Sequence, residues 1–246
     1  MNRNRMMICL GLAMAAMMPL TSCTGNSDKD KARREYVSGL NDSIQALKSE
    51  IDSCNAQISI LQEQQDVWLR DFTTVSNSRE AAPYMIFNGF QDKYPPTSTG
   101  LIARLAENGQ FELIASLKGA RFDRITVTSD SESATSDVVP ADQALNYTAD
   151  GLTTVLFTGT RADSIGRLIA DNDLNNIRVV YLNGNPVSTW SLPVSYRNMI
   201  MASFQLYDAQ RTIGRLERRV PLLNRKIDLL RVHQDRHKPD STLSDK

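Results

Sequence analysis

The chain has 246 residues, with 28 basic and 28 acidic side chains that leave no net formal charge, and 41% of it is hydrophobic. That length allows one or two domains with a real core, and the neutral balance argues against a nucleic-acid partner held by overall charge. The three cysteines and two histidines form no Cys-x-x-Cys or Cys/His cluster, so zinc and iron–sulfur centres built on such spacings are excluded.

At the amino terminus Arg3 and Arg5 precede an apolar run over residues 6–20 that is too short to span a bilayer as a helix, the pattern of a secretory signal peptide. It ends in Leu20, Thr21, Ser22 and Cys23, which resemble the lipobox of bacterial lipoproteins. The resemblance implies that residues 1–22 are removed and that the Cys23 thiol takes a diacylglycerol. With two or three acyl chains the protein would stay on a membrane of a Gram-negative envelope, since one chain binds only marginally. The outer membrane is favoured, with its periplasmic and surface faces both open. An uncleaved anchor, or a soluble periplasmic protein with Cys23 at the boundary by accident, is the competing reading. Removing residues 1–22 takes Arg3, Arg5 and no acid, leaving 26 basic residues against 28 acidic ones. Residues 23–34 read as a polar tether. Its acidic stretch from Thr24 to Asp30 resembles the surface-export signal of some Gram-negative anaerobes, and equally an ordinary solvated linker.

Over residues 35–77 the apolar side chains Val37, Leu40, Ile44, Leu47, Ile51, Cys54, Ile58 and Leu61 recur in alternating steps of three and four, a coiled-coil seam. Over residues 195–237 the same rhythm returns at Met199, Ala202, Leu206, Ala209, Ile213, Leu216, Val220, Leu223, Ile227 and Leu230. The first arm carries seven acids and two bases over residues 35–71, and the second carries ten bases and four acids over residues 197–238. Opposite charge selects partners in coiled coils, so the arms are expected to pair antiparallel within one chain. Self-pairing in an oligomer, or a basic arm lying on anionic head groups, are the alternatives. Gly214 and Pro221 should weaken or kink the second arm. With Cys9 discarded and Cys23 acylated, Cys54 stands alone, either as a small buried side chain or as a thiol able to bridge two copies.

Between the arms, over residues 82–192, the hydrophobic period falls to two and β-branched and aromatic residues increase. Strands are expected at 84–90, 101–106, 111–117, 122–128, 153–158, 177–182 and 187–190. Asn108-Gly109 closes one hairpin, and Asn183 to Pro186 join the last two strands. A short amphipathic helix over residues 163–170 carries Ile165, Leu168 and Ile169 on one face, and residues 129–142 read as a polar loop. Residues 238–246 form a polar tail. The expected fold is α+β, an antiparallel two-helix coiled-coil stalk with an inserted, mainly antiparallel β domain.

Little in the sequence points to catalysis. His233 and His237 both fall at the end of the second arm, so no Ser-His-Asp triad or Cys-His pair can form in the β domain. Their i, i+4 spacing could bind a metal, but a polar helix end is the better account. Asp171 to Asn176 begins like a calcium loop and then has Asn176 where glycine is required and Leu182 where the bidentate glutamate belongs. Neither a metal nor a cofactor is expected. Trp68 and Trp190 are expected to pack where arms and β domain meet. Asp42-Ser43-Ile44, Asp163-Ser164-Ile165 and Asp240-Ser241-Thr242 resemble O-glycan acceptors of the same anaerobes, Ser241 being the best placed. The expected role is non-enzymatic, either protein or glycan binding through the β domain or a structural part in the envelope. An adaptor docking through the basic helix is the second reading, and a carboxylate-based hydrolase is the third. The expected partners are the membrane, through the lipid anchor, and a protein or glycan, with oligomers possible through Cys54 or the arms.

Overall fold

The computed structural model describes residues 26–76, 82–130, 132–142, 144–172 and 176–237. The signal segment, Cys23 and the tail with Ser241 lie outside the described residues. The fold is α+β, with three helices and two antiparallel sheets. The chain divides into two compact units, one of residues 1–46 with 227–246 and the other of residues 47–226.

Helix α1 spans Asn26–Trp68, so residues 26–34 of the expected tether are helical instead. Lys29, Lys31, Ala32, Arg33 and Arg34 are strong helix formers, and Asp28 in the first turn suits the positive end of the helix. The arm also stops short of residue 77. After Trp68 a 3-10 turn over Leu69–Asp71 leads into strand β1, Phe72–Val75, whose Thr73, Thr74 and Val75 favour extended backbone.

The strands that follow are β2 Tyr84–Phe87, β3 Gly100–Ala106, β4 Phe111–Lys118, β5 Arg124–Thr128, β6 Ser133–Thr135, β7 Asn146–Ala149 and β8 Leu152–Phe157. Helix α2, Gly159–Asp171, precedes β9 Arg178–Asn183 and β10 Asn185–Ser191, and helix α3 closes the order at Val194–His237. One sheet runs β1-β2-β3-β4-β8-β7 and the other β10-β9-β5-β6. Three strands went unread in the sequence. β1 had been given to the helical arm, β6 lies inside the expected polar loop, and β7 pairs with β8 as a hairpin.

Strands β3 and β4 are buried almost throughout, because both faces of the larger sheet are covered at its centre. Their register pairs Leu105 with Phe111 and Arg104 with Glu112. On one face Phe111 meets Phe204 of α3 edge-on at 5.4 Å, and a methyl group on Gly166 of α2 would come within 2.5 Å of the Phe204 ring and 2.8 Å of Phe111. Only glycine lets α2 approach this closely. On the other face the buried Arg104 Nε donates to Glu112 Oε2 at 2.6 Å, with the Tyr84 ring 4.4 Å and the Tyr94 ring 5.0 Å from its guanidinium. In the smaller sheet Ile125, Val127, Val179 and Tyr181 alternate inward. Tyr181 joins the two sheets. Its hydroxyl donates to the Gly100 carbonyl at 3.0 Å and its ring meets Phe122 at 5.0 Å. Trp68 and Trp190 both pack against this core. Each fully buried large side chain contributes about 1.5–3 kcal/mol.

The first turns of α3 belong to the same core, since Met199, Ile200, Phe204 and Leu206 are buried in it. Further along, still within residues 47–226, the helix keeps only a seam. Cys54 of α1 forms a buried cluster with Leu216 and Leu223, and Leu47, Ile51, Ile58, Leu61 and Val220 pack around it. Arg219 Nε donates to Glu50 Oε1 at 2.7 Å. The expected charge complementarity is thus realised at Arg219. Arg211 instead pairs with Asp163 of α2 at 2.9 Å, and Arg215, Arg218 and Arg225 are exposed. Helix α3 continues through Gly214 and Pro221. Pro221 is exposed, so water can solvate the carbonyl that its missing N–H leaves free.

In the unit of residues 1–46 and 227–246, Gln234 Nε2 donates to Asn41 Oδ1 at 2.6 Å, Tyr36 stacks at 5.0 Å on His237, and Arg33 donates to the His237 carbonyl. The later residue of α1 meets the earlier residue of α3, so the helical segments run antiparallel here. Ile44 and Ile227, both seam positions, are buried.

Candidate functional site

The sequence-selected residues do not converge. Cys23 and Ser241 lie outside the described residues, as do residues 173–175 of the calcium-like segment. His233 and His237 are exposed on the last turns of α3, where His237 Nδ1 lies 2.8 Å from the His233 carbonyl. Ser43 and Ser164, in the other two acceptor-like triplets, donate to the helix carbonyls of Gly39 and Thr160, each at 2.8 Å. Among the described residues no group of three or more His, Cys, Asp or Glu could hold a metal ion.

A site of different composition lies beside β7. A cleft of about 540 Å³ is lined by Arg121, Phe122, Asp123, Pro140, Ala141, Asp142, Asn146, Tyr147, Thr148 and Asn183. Its framework is a set of hydrogen bonds that tie the segment before β7 to the approach of β5. The buried Asn146 donates from Nδ2 to the Val139 carbonyl at 2.7 Å and to the Phe122 carbonyl at 3.2 Å. Val139 N–H donates to the Asp123 carbonyl at 2.8 Å, and Asp123 N–H to the Leu182 carbonyl at 2.9 Å. These bonds hold the backbone at Phe122, Asp123, Val139 and Asn146 together around the cleft.

Two carboxylates line it. Asp142 Oδ1 accepts the backbone N–H groups of Ala144 at 2.6 Å and Leu145 at 2.7 Å. These bonds, the one from Leu145 foremost, hold its carboxyl below the usual aspartate range. Asp123 differs, because its Oδ1 is buried with no hydrogen-bond partner. A buried acceptor left unmatched costs about 1–3 kcal/mol, and this oxygen has no exposed surface to offer a ligand. Tyr147 is 41% exposed and Leu145 42%, and Asn183 and Arg121 are also exposed. The cleft therefore combines the exposed polar groups of Arg121, Asp142 and Asn183 with an exposed aromatic ring, the mixture that orients a small polar ligand.

Sequence reasoning found none of these residues as a site, because their proximity is spatial. One local signal was available. Asp150-Gly151 stands between Asn146–Ala149 and Leu152–Phe157, and both turn residues have positive φ, 51° and 74°, as a type I′ hairpin requires. Reading it would have placed Tyr147 on an edge strand. The ion pair of Arg104 and Glu112 is a second cluster of charge, but its groups bind each other inside the sheet. No protein-family model, curated protein or solved structure significantly matches the chain.

Proposed function

We propose that the chain is a lipid-anchored envelope protein, non-enzymatic, whose β-rich part binds a polyhydroxylated ligand, a glycan, in the cleft of Asp123, Asp142 and Tyr147. The anchor reading rests on Leu20 to Cys23 and the apolar segment before them. The two long helices serve as a two-helix coiled-coil stalk, a reading supported by the burial of Cys54, Leu216 and Leu223 at seam positions. The observation that carries the ligand class is the exposed Tyr147 ring in one cleft with the exposed polar groups of Asp142, Arg121 and Asn183. Sugar hydroxyls supply donors for the carboxylates and acceptors for Arg121 and Asn183, and the apolar face of a sugar ring packs on an aromatic side chain.

The test is a glycan array probed with the full chain carrying Cys23→Ser. The wild-type cleft should retain a defined class of glycan. Asp142→Ala should lower affinity about 10-fold or more, the loss of one charge-assisted bond being about 1.5–3 kcal/mol, and Tyr147→Ala should lower it by about the worth of an aromatic contact, ~0.5–1.5 kcal/mol. Retention unchanged by both substitutions would remove the cleft from the account. Because Asp142 is held ionised below the ordinary aspartate range, binding should persist as the pH falls to that range and weaken only below it. For the anchor, Cys23→Ala should move the protein from the membrane fraction to the soluble one.

The presence of two carboxylates in one cleft also supports a second reading, a hydrolase that uses Asp142 and Asp123 as its carboxylate pair. Cleavage of a retained glycan, lost in Asp142→Asn, would decide for it.

A further inference from the structure

The seam of α3 at Ile213, Leu216, Val220 and Leu223 faces inward, and at 100° per residue the opposite side of the helix carries Arg211, Arg215, Arg218, Leu222 and Arg225 in steps of four, three, four and three. All five are exposed, Leu222 by 58%. Lys226 extends the stripe. Arg211 is committed to Asp163, while Arg215, Arg218, Arg225 and Lys226 have no ion-pair or hydrogen-bond partner among the described residues, Glu217 notwithstanding. The charge on this helix, which could have been spent on α1, points away from it.

We propose that this outer face of α3 is a docking surface for an anionic lipid bilayer. A protein partner would need an apolar anchor at the centre of a patch of roughly 800 Å² on each side. Leu222 is the one large exposed apolar side chain on the stripe within residues 211–226, the next along the helix being Leu229 and Val232, each set singly and without a clustered anchor. A charged bilayer makes no such demand. Cations near it gain individually, about fivefold in partitioning each, the equivalent of about 1 kcal/mol. A lone leucine among them can enter the head-group boundary while the arginines keep their guanidinium groups at the phosphates. The surface is independent of the glycan cleft and of the acyl anchor.

The experiment uses the mature chain, residues 23–246, with Cys23→Ser, which carries neither the apolar signal segment nor an acyl group, and measures co-sedimentation with vesicles. One set holds equal parts of phosphatidylglycerol and phosphatidylcholine, and the other phosphatidylcholine alone. Binding should appear on the anionic vesicles, weaken with added salt, and fall about 100-fold in Arg215→Gln/Arg218→Gln/Arg225→Gln. The matching triple lysine variant should retain most of it, and circular dichroism should show all three proteins equally helical. Equal binding to both vesicle sets, an unaltered glutamine variant, or release from the anionic vesicles by inorganic phosphate at constant ionic strength would overturn the proposal. So would stable capture of an acidic protein with no vesicle binding.

Discussion

Helix α3 changes its surroundings along its length. From Met199 to Leu206 it is buried over a wide arc, with Met199, Ile200, Ser203 and Leu206 fully inaccessible and Phe204 nearly so, because the larger sheet and α2 pack against it. From Ile213 to Leu223 burial narrows to Ile213, Leu216 and Leu223, with Val220 half-buried. The heptad spacing is the same in both stretches, yet one is core and the other a seam. A repeat of seven specifies which side of a helix is apolar. How much surface that side loses depends on what lies on either flank, here aromatic residues at Tyr196, Phe204 and Tyr207 and arginines further on. The two stretches should therefore fail differently.

The largest effect is expected at Phe204. Phe204→Ala removes a ring packed on Phe111 and should cost about 3–5 kcal/mol, lowering the melting temperature of the whole β-rich part in calorimetry. Leu216→Asp should remove at least about 2 kcal/mol from the helix pair, and hydrogen exchange should show lost protection in residues 47–67 and 214–226 while the strands keep theirs. Loss of protection everywhere would mean that the seam and the core are one cooperative unit. Gly166→Ala forces a methyl group into Phe204 and should cost about 1–3 kcal/mol by overpacking, read as a lower denaturation midpoint at unchanged slope. The smallest effect belongs to Glu50→Gln. Its partner Arg219 is half exposed, so the pair is worth at most about 1 kcal/mol, and the difference should shrink in high salt.

The same contrast explains what the sequence disclosed. Each seam residue from Val37 to Leu61 is half-buried or buried, and the residues that separate them are exposed except Glu50, because one narrow contact leaves a simple periodic trace. The centre of the larger sheet leaves a weaker one. Gly100–Ala106 and Phe111–Lys118 are covered on both faces, so strict alternation is lost there, although the Asn108-Gly109 turn still located both strands. Strand β1 falls inside the arm expected over residues 35–77, because no local signal before residue 77 marks its start and its pairing with β2 is a long-range fact. The cleft was the least legible part. Asp123, Asp142 and Asn146 meet through side-chain and backbone bonds that link Asn146 to Phe122 and Asp123 to Leu182, distant positions in the chain, and no spacing rule anticipates that meeting.

The account depends most on α1 and α3 pairing within one molecule. Glu50→Cys and Arg219→Cys, in a full chain whose native cysteines are replaced by serine, should be joined by a short bis-maleimide at high dilution. Mass spectrometry of the product should show a single chain carrying an internal link between positions 50 and 219. A product of two chains linked through those positions, with the single-chain form absent, would contradict it.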